Sequence, residues 1–473
     1  GSRAWPTTRW CGDCTRRLPA GIVALLLAAV GGFFLAASGA AATPEQIARI
    51  ERMFAEAYPA DGPGAAVIVV QDGKPVLRKG YGLAEVELGV PIRPDMVFRV
   101  GSVTKEFTSA CILMLAEQGR LKLDDDITKY LPDYPAGGRR VTIEQLLTHT
   151  SGIHSYTDMP SWGKRMREDW TLAELVDFFD NEPFDFEPGA KWHYDNSGYI
   201  LLGLILEKVT GKKYAEVVAD MIFRPLSMKQ TRYGDDAPIV PGRVSGYVKT
   251  PAGIVNAPFL SMTQPFSAGA IVSTADDLAR WQAALDAGTI LTPASRQKMW
   301  TPVTLPDGTP TRYGYGWDMW SYEGHRVVEH GGGINGFQTA NMRWPDDHLY
   351  VAVLSNCGGC ADPRALALGA ASILIDKPSM DRPAAAIAPA LLDRYAGTYT
   401  DSDGDDWVVR RKDDHLVLEA GPRSWKAWPA SDTEFFFRDA VRTVRFVSDG
   451  SGAVTGMAID EAFGPVEVAK RKN

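Results

Sequence analysis

Apolar residues near the 3.6-residue period predict a helix over Pro44–Tyr58, with Ile47, Ile50, Met53, Phe54 and Tyr58 on one side. Two runs, Ala65–Val70 and Val76–Tyr81, flank Asp72-Gly73 and read as a β-hairpin. Met96–Val100 is a short strand candidate leading to Gly101, after which Phe107, Cys111, Leu113, Met114 and Leu115 predict a helix up to Gly119. From Leu121 to about Val255 the pattern is helices and loops, including short helices at Val141–Thr148 and Thr171–Phe179 and a strong one at Ser197–Val209, closed by Gly211. Strand patterns return at Gly269–Val272, Val327–Glu329, Thr339–Trp344 and Leu349–Ser355, with helices opening at Ser273-Thr-Ala-Asp-Asp277 and covering Arg364–Ile375.

Strands at both ends thus bracket a helical middle. The economical fold is α/β: an antiparallel sheet flanked by helices, with an inserted, mostly helical lobe at about 121–255. The domain would run over 43–376, and a Pro/Ala-rich linker over 377–390 would follow. Beyond it six short runs alternate with turn residues: Trp407–Arg410, Leu416–Glu419, Glu434–Arg438, Thr443–Val447, Val454–Ile459 and Val466–Ala469. They predict a small antiparallel β-barrel or sandwich over 391–473.

The chain of 473 residues is 45% hydrophobic and 23% charged, as in ordinary globular proteins. Its net charge of −8 argues against nucleic acid as a partner. Arg9, Arg16 and Arg17 precede an apolar Ala20–Ala37 stretch and the small residues Ser38-Gly-Ala-Ala-Ala42. That order predicts a signal peptide over 1–42 and a periplasmic or secreted bacterial protein, with membrane contact through this segment alone. An uncleaved anchor is the rival reading, since the run is almost long enough to span. Of five cysteines, Cys11 and Cys14 leave with that segment, and Cys111 reads as a buried hydrophobe. Cys357-Gly-Gly-Cys360 reads as a local disulfide in an oxidising compartment.

Three stretches carry candidate chemistry. Ser102 and Lys105 are three apart at a helix start, so hydroxyl and amine share a face. A serine hydroxyl needs a base. Lysine can be one if burial and the helix N-terminus lower its pKa. In Pro188-Gly-Ala-Lys-Trp-His-Tyr-Asp-Asn-Ser-Gly198, Tyr194 can relay a proton, and Asn196 can hold a substrate carbonyl and orient the lysine. Plain packing by Tyr194 and helix capping by Asn196 are the alternatives. In His330-Gly-Gly-Gly-Ile-Asn-Gly336, Gly332 and Gly333 let substrate backbone lie close and free an N–H for an oxyanion. His330 can bind substrate or assist proton transfer, or be a surface histidine before a turn.

Ser-x-x-Lys, Tyr-x-Asn and His-x-Gly in this order resemble the serine β-lactamase and penicillin-binding-protein superfamily, on the branch of class C β-lactamases with carboxypeptidase, D-aminopeptidase and esterase relatives. Leu146-Leu-Thr-His-Thr-Ser-Gly152, Tyr313-Gly-Tyr-Gly-Trp317 and Ser273-Thr-Ala-Asp-Asp-Leu278 look like further segments of that family, over roughly Glu45 to Ile375. The resemblance implies a β-lactamase/transpeptidase-like fold and a serine hydrolase. Ser102 would be acylated and Lys105 would be its base. Tyr194 would carry the proton to the leaving group, and Asn196 would orient Lys105 and the substrate amide. The oxyanion hole would be the N–H groups of Ser102 and Gly333. His330 stands where β-lactamases carry a permanent cation, and near its ordinary pKa of about 6.5 it would be partly charged. That departure tilts the expected substrate toward small amides or peptides, with D-amino-acid peptidase or carboxypeptidase activity. An esterase or weak β-lactamase, and a non-catalytic binder of lactams or cell-wall fragments, stay open.

The tail, opening with Tyr395-Ala-Gly-Thr-Tyr399, looks like the lipocalin-like tails of some such peptidases. It would roof the cleft, bind a ligand or mediate assembly. His149 ends a helix and reads as structural; His193 would point away from Tyr194's side. No HExxH, Walker loop or dinucleotide fingerprint occurs, so no metal and no cofactor is expected. The partner would be a small-molecule or peptide substrate; homo-oligomer formation stays open.

Overall fold

The structure, a computed structural model, describes residues 41–472 apart from 403, 422, 439 and 462–466. The expected signal segment with Cys11 and Cys14 lies almost wholly outside the described residues. Among those residues no helix is long and apolar enough to cross a membrane.

The central sheet has seven strands, all paired antiparallel. Its order is Asp318–Tyr322, His325–Glu329, Phe337–Trp344, Leu349–Ser355, Ala65–Gln71, Lys74–Tyr81, and Gly332–Ile334 pairs beside the start of Phe337–Trp344. The first and last thirds of the domain therefore meet at Val67↔Val353 and Val69↔Val351. Asp72 and Gly73 both take positive φ (49° and 73°), as the two-residue hairpin turn requires. Period-2 alternation divides the strand residues between two cores. Val67, Val69, Val351 and Val353 face helices Pro44–Ala57 and Pro363–Leu374. Ala66, Ile68, Ala352 and Leu354 face helix Thr104–Glu117 and Trp281 of helix Ala275–Ala287.

Thr104–Glu117 is buried nearly all round, so it is the axle between sheet and lobe. Asn196–Thr210 packs on it in the lobe and ends, as expected, at Gly211 in the left-handed conformation. The expected helical stretch closes in a β-hairpin, Tyr247–Thr250 with Gly253–Asn256, which pairs with Cys357–Gly358. Its outer strand is exposed throughout, so it lacks the apolar alternation that would have marked it.

The tail is a closed barrel of eight consecutive antiparallel strands, sealed by Tyr399↔Arg471 and Thr400↔Lys470. Two of its strands, Gly397–Thr400 and Arg423–Pro429, were not among the six predicted runs. Arg423–Pro429 buries only Ala427 and its terminal Pro429, too weak an alternation to read. Helix Pro389–Tyr395, which opens where a linker was expected, puts Leu392 and Tyr395 into the barrel core.

Candidate active site

Ser102 lies on a one-turn 3-10 segment, Gly101–Val103, that feeds helix Thr104–Glu117. Three residues per turn stack Ser102 and Lys105 directly. Gly101 has φ +53°, and a Cβ there would meet the Gly333 backbone at 3.0 Å. A Cβ on Gly332 would strike the Val100 carbonyl oxygen at 1.9 Å. The glycine run thus lets one strand edge press against the serine turn, while Gly333 itself faces open space.

Lys105 is fully buried. Its Nζ is 2.8 Å from Asn196 Oδ1, 2.9 Å from the Ala268 carbonyl oxygen and 3.2 Å from Ser102 Oγ. The first two partners only accept, so they take two N–H bonds of a neutral amine. The remaining lone pair is left for the Ser102 hydroxyl. Burial holds the Lys105 pKa well below the usual lysine range, with the nearby Asp195 opposing.

Asn196 is the first residue of its helix, and its side chain does not cap it. Its Nδ2 donates to Thr157 Oγ1 at 2.9 Å, which turns Oδ1 toward Lys105. Half-buried Tyr194 stands beside the pair: Lys105 Nζ lies 4.8 Å from its ring centre, and Ser102 works to lower its phenol pKa. Burial raises its phenol pKa, so it stays protonated at neutral pH. His193 is exposed beside Asp158 and Asp185, away from the serine.

His330 differs from expectation. It is buried, and Nδ1 lies 2.6 Å from the Gly331 carbonyl oxygen, which can only accept. Nδ1 therefore carries the proton, and Nε2 accepts from the Tyr313 hydroxyl at 2.7 Å. Burial and the Lys105 charge push its pKa down to about 3. Burial therefore works against the expected partial charge at neutral pH.

Two cavities, of about 940 and 400 Å³, meet at Ser102, Gly333 and Gln338. The larger runs past Tyr194, His330 and Arg364; the smaller runs past Asn196 and Ala268. A carbonyl carbon at the junction would face the Ser102 hydroxyl and a strand edge of glycines. Among the described residues, none beyond Arg364 lines either cavity. Among the described residues no cluster of three or more His, Cys, Asp or Glu could hold a metal. Cys357 and Cys360 form a disulfide, and Cys111 is a buried free thiol.

Sequence reasoning did not single out Thr157, Ala268, Gln338 or Arg364. Tyr313 stood in a quoted segment without a role. Ala268 acts through its main-chain carbonyl, for which residue identity carries no signal.

This fold and site define a class, the serine hydrolases built on a nucleophile with a lysine partner. The family profile described as Beta-lactamase matches residues 51–374, and the chain belongs to that family. A second profile, Domain of unknown function (DUF3471), matches residues 381–470. The chain is similar to penicillin-binding protein 4* of Bacillus subtilis (strain 168), 31% identical over 407 residues, covering 80% of this chain and 89% of the relative. Among solved structures it is similar to the octameric penicillin-binding protein homologue from Pyrococcus abyssi, at 25% identity and TM-score 0.64, covering 90% of this chain and 99% of that one. It is also similar to the D-amino acid amidase from Ochrobactrum anthropi SV3 complexed with L-phenylalanine amide, at 25% identity and TM-score 0.61, covering 70% and 98%.

Proposed function

We propose that this enzyme hydrolyses small amides or peptides, D-residue substrates among them, through an acyl group on Ser102. The observation that carries this is the Lys105 environment: burial plus two acceptors that leave one lone pair aimed at the Ser102 hydroxyl. Lys105 takes that proton as Oγ bonds to the substrate carbonyl carbon. The negative oxygen sits against the backbone N–H groups of Ser102 and Gly333. Tyr194 gives its phenolic proton to the departing nitrogen and recovers one from Lys105. Water then repeats the sequence, and the acid leaves Ser102 free.

The larger cavity supports a neutral or amine-bearing leaving group. Arg364 is held by Glu329, with Nε 3.0 Å from Oε2, and Arg312 by Asp318 at 3.0 Å. His330 is uncharged. Both arginines of this cavity are thus already paired with carboxylates and only Lys191, at the exposed rim, is not, which disfavours an arginine-anchored carboxylate and supports peptidase or amidase over carboxypeptidase chemistry. The similarity to a D-amino acid amidase supports the same reading.

A fluorophosphonate probe should label Ser102, shown by peptide mass spectrometry, and Lys105→Ala should slow labelling by about 10²-fold or more while leaving the circular dichroism unchanged. An unlabelled Ser102 would favour a non-catalytic binder. Comparing kcat/KM on a D-alanyl amide, a D-alanyl-D-alanine peptide, a chromogenic ester and a cephalosporin separates the reaction types; the amide is expected to lead.

Export to the periplasm or medium belongs to this reading, supported by the basic-then-apolar start and the Cys357–Cys360 disulfide. So does self-assembly, which the octameric relative supports and light scattering of the full chain would test.

A further inference from the structure

Tyr194 stands in a stretch, 191–195, with no helix or strand to hold it. Its neighbours' N–H groups both go to a single residue. His193 N donates to the His149 carbonyl oxygen at 3.0 Å, and Asp195 N donates to His149 Nδ1 at 3.0 Å. The imidazole itself packs on the phenol, ring centres 4.4 Å apart, and also lies 5.1 and 4.6 Å from the rings of Tyr199 and Tyr313. His149 is 1% exposed, and its Nε2 has no hydrogen-bond partner. Since Nδ1 accepts, the proton rests on Nε2, among ring faces. The backbone at His149 is left-handed, with φ +59°. That conformation aims carbonyl and ring at the same stretch, and among non-glycine residues it is one that Asn, Asp and His adopt most readily.

We propose that His149 is the positioning residue for Tyr194: its carbonyl and Nδ1 clamp the amides on either side and so hold the phenol beside Ser102 and Lys105. Adjacent loop atoms extend the clamp. The Thr150 carbonyl accepts from Gly189 N at 2.7 Å, and Ser151 Oγ donates to Asp195 Oδ2 at 3.2 Å. Without the clamp, the phenol loses its fixed distance to the leaving group, and misplacement by about 1 Å can cost on the order of 10²-fold. This inference rests on the reading of Tyr194 as the proton carrier.

The test uses the full chain and two substrates with one acyl group, a p-nitroanilide and a p-nitrophenyl ester, followed in single-turnover acylation. The anilide's leaving group needs a proton and the ester's does not, so a displaced Tyr194 slows the anilide selectively. His149→Asn keeps the left-handed backbone and puts Oδ1 at the place of Nδ1. His149→Gly keeps only the backbone, and His149→Gln moves the acceptor one bond outward. Asn should retain anilide acylation within about threefold, and Gly and Gln should lose roughly tenfold or more, with the ester less affected. His149→Gly combined with Tyr194→Phe should be no slower than Tyr194→Phe alone. The clamp is overturned if Gly or Gln matches Asn, if both substrates slow equally, or if the double variant is additive. If Tyr194→Phe leaves the anilide-to-ester ratio unchanged, the proton-carrier reading itself has failed. The Asn and Gln pair decides the matter should the Gly variant not fold.

Discussion

Asn196 and Lys105, 91 positions apart in the chain, meet at 2.8 Å with the amide oxygen accepting from the amine. A neutral acceptor lets the lysine stay uncharged. Asn196→Asp replaces it with a carboxylate, which favours the ammonium and raises the Lys105 pKa. Below that pKa each unit of rise removes about nine-tenths of the free amine. The acidic limb of the kcat/KM profile should move to higher pH, with roughly a tenfold or greater loss near pH 7. An unmoved limb would sever the link between this contact and the base.

His330 gives a stability prediction of definite sign. Its folded pKa, pushed down to about 3 by burial and Lys105, lies below the ordinary value of about 6.5. Between those values the unfolded chain binds a proton that the native state does not. The neutral side chain's contribution is therefore complete above about pH 6.5 and declines as pH falls toward 3. Buried Asp195, raised to about 7, tilts the other way but does so in parent and variant alike. Denaturation midpoints at pH 7.5 and 4.5 should show His330→Gln losing less stability on acidification than the parent. Parallel pH slopes would contradict the buried neutral imidazole.

Under the larger cavity, Glu329 is fully buried and takes Arg364 Nε at 3.0 Å and Trp320 Nε1 at 2.8 Å. Arg364→Met strips a buried carboxylate of its cation and should cost about 3 kcal/mol, read from urea midpoints. Adding Glu329→Gln should recover most of the loss. A single variant as stable as the parent would show that solvent already reaches the pair.

The disulfide makes a chemical prediction. Non-reducing peptide mapping of protein recovered from outside the cytoplasm should find Cys357 and Cys360 joined. Alkylation without reductant should modify Cys111 only after denaturation, because that thiol is buried. Alkylated Cys357 would contradict the pairing.

Much of this architecture is readable along the chain, and the exceptions have physical reasons. Helix Pro44–Ala57 and the hairpin at Asp72-Gly73 carry strong local patterns, with a Thr43 capping box and paired positive φ. Strand Asp318–Tyr322 buries Met319 alone, so it offers no alternation. At the site, Ser102 with Lys105 is a local relation of one helical turn, and spacing reveals it. The His330–Tyr313 bond spans 17 positions, and its consequence, an uncharged imidazole, follows from burial. Spacing carries no burial, so the ordinary histidine pKa was the wrong guide there. His149 stood out only as the end of a helix, because its clamp acts on a stretch more than forty positions later.

The partners of the Lys105 amine come from three separate stretches, at Ser102, Asn196 and Ala268. Before those stretches assemble, position 105 carries an ordinary ammonium and position 102 an inert alcohol. A nascent or threading chain is therefore latent without any inhibitory peptide, and reactivity switches on only when the last of the three arrives.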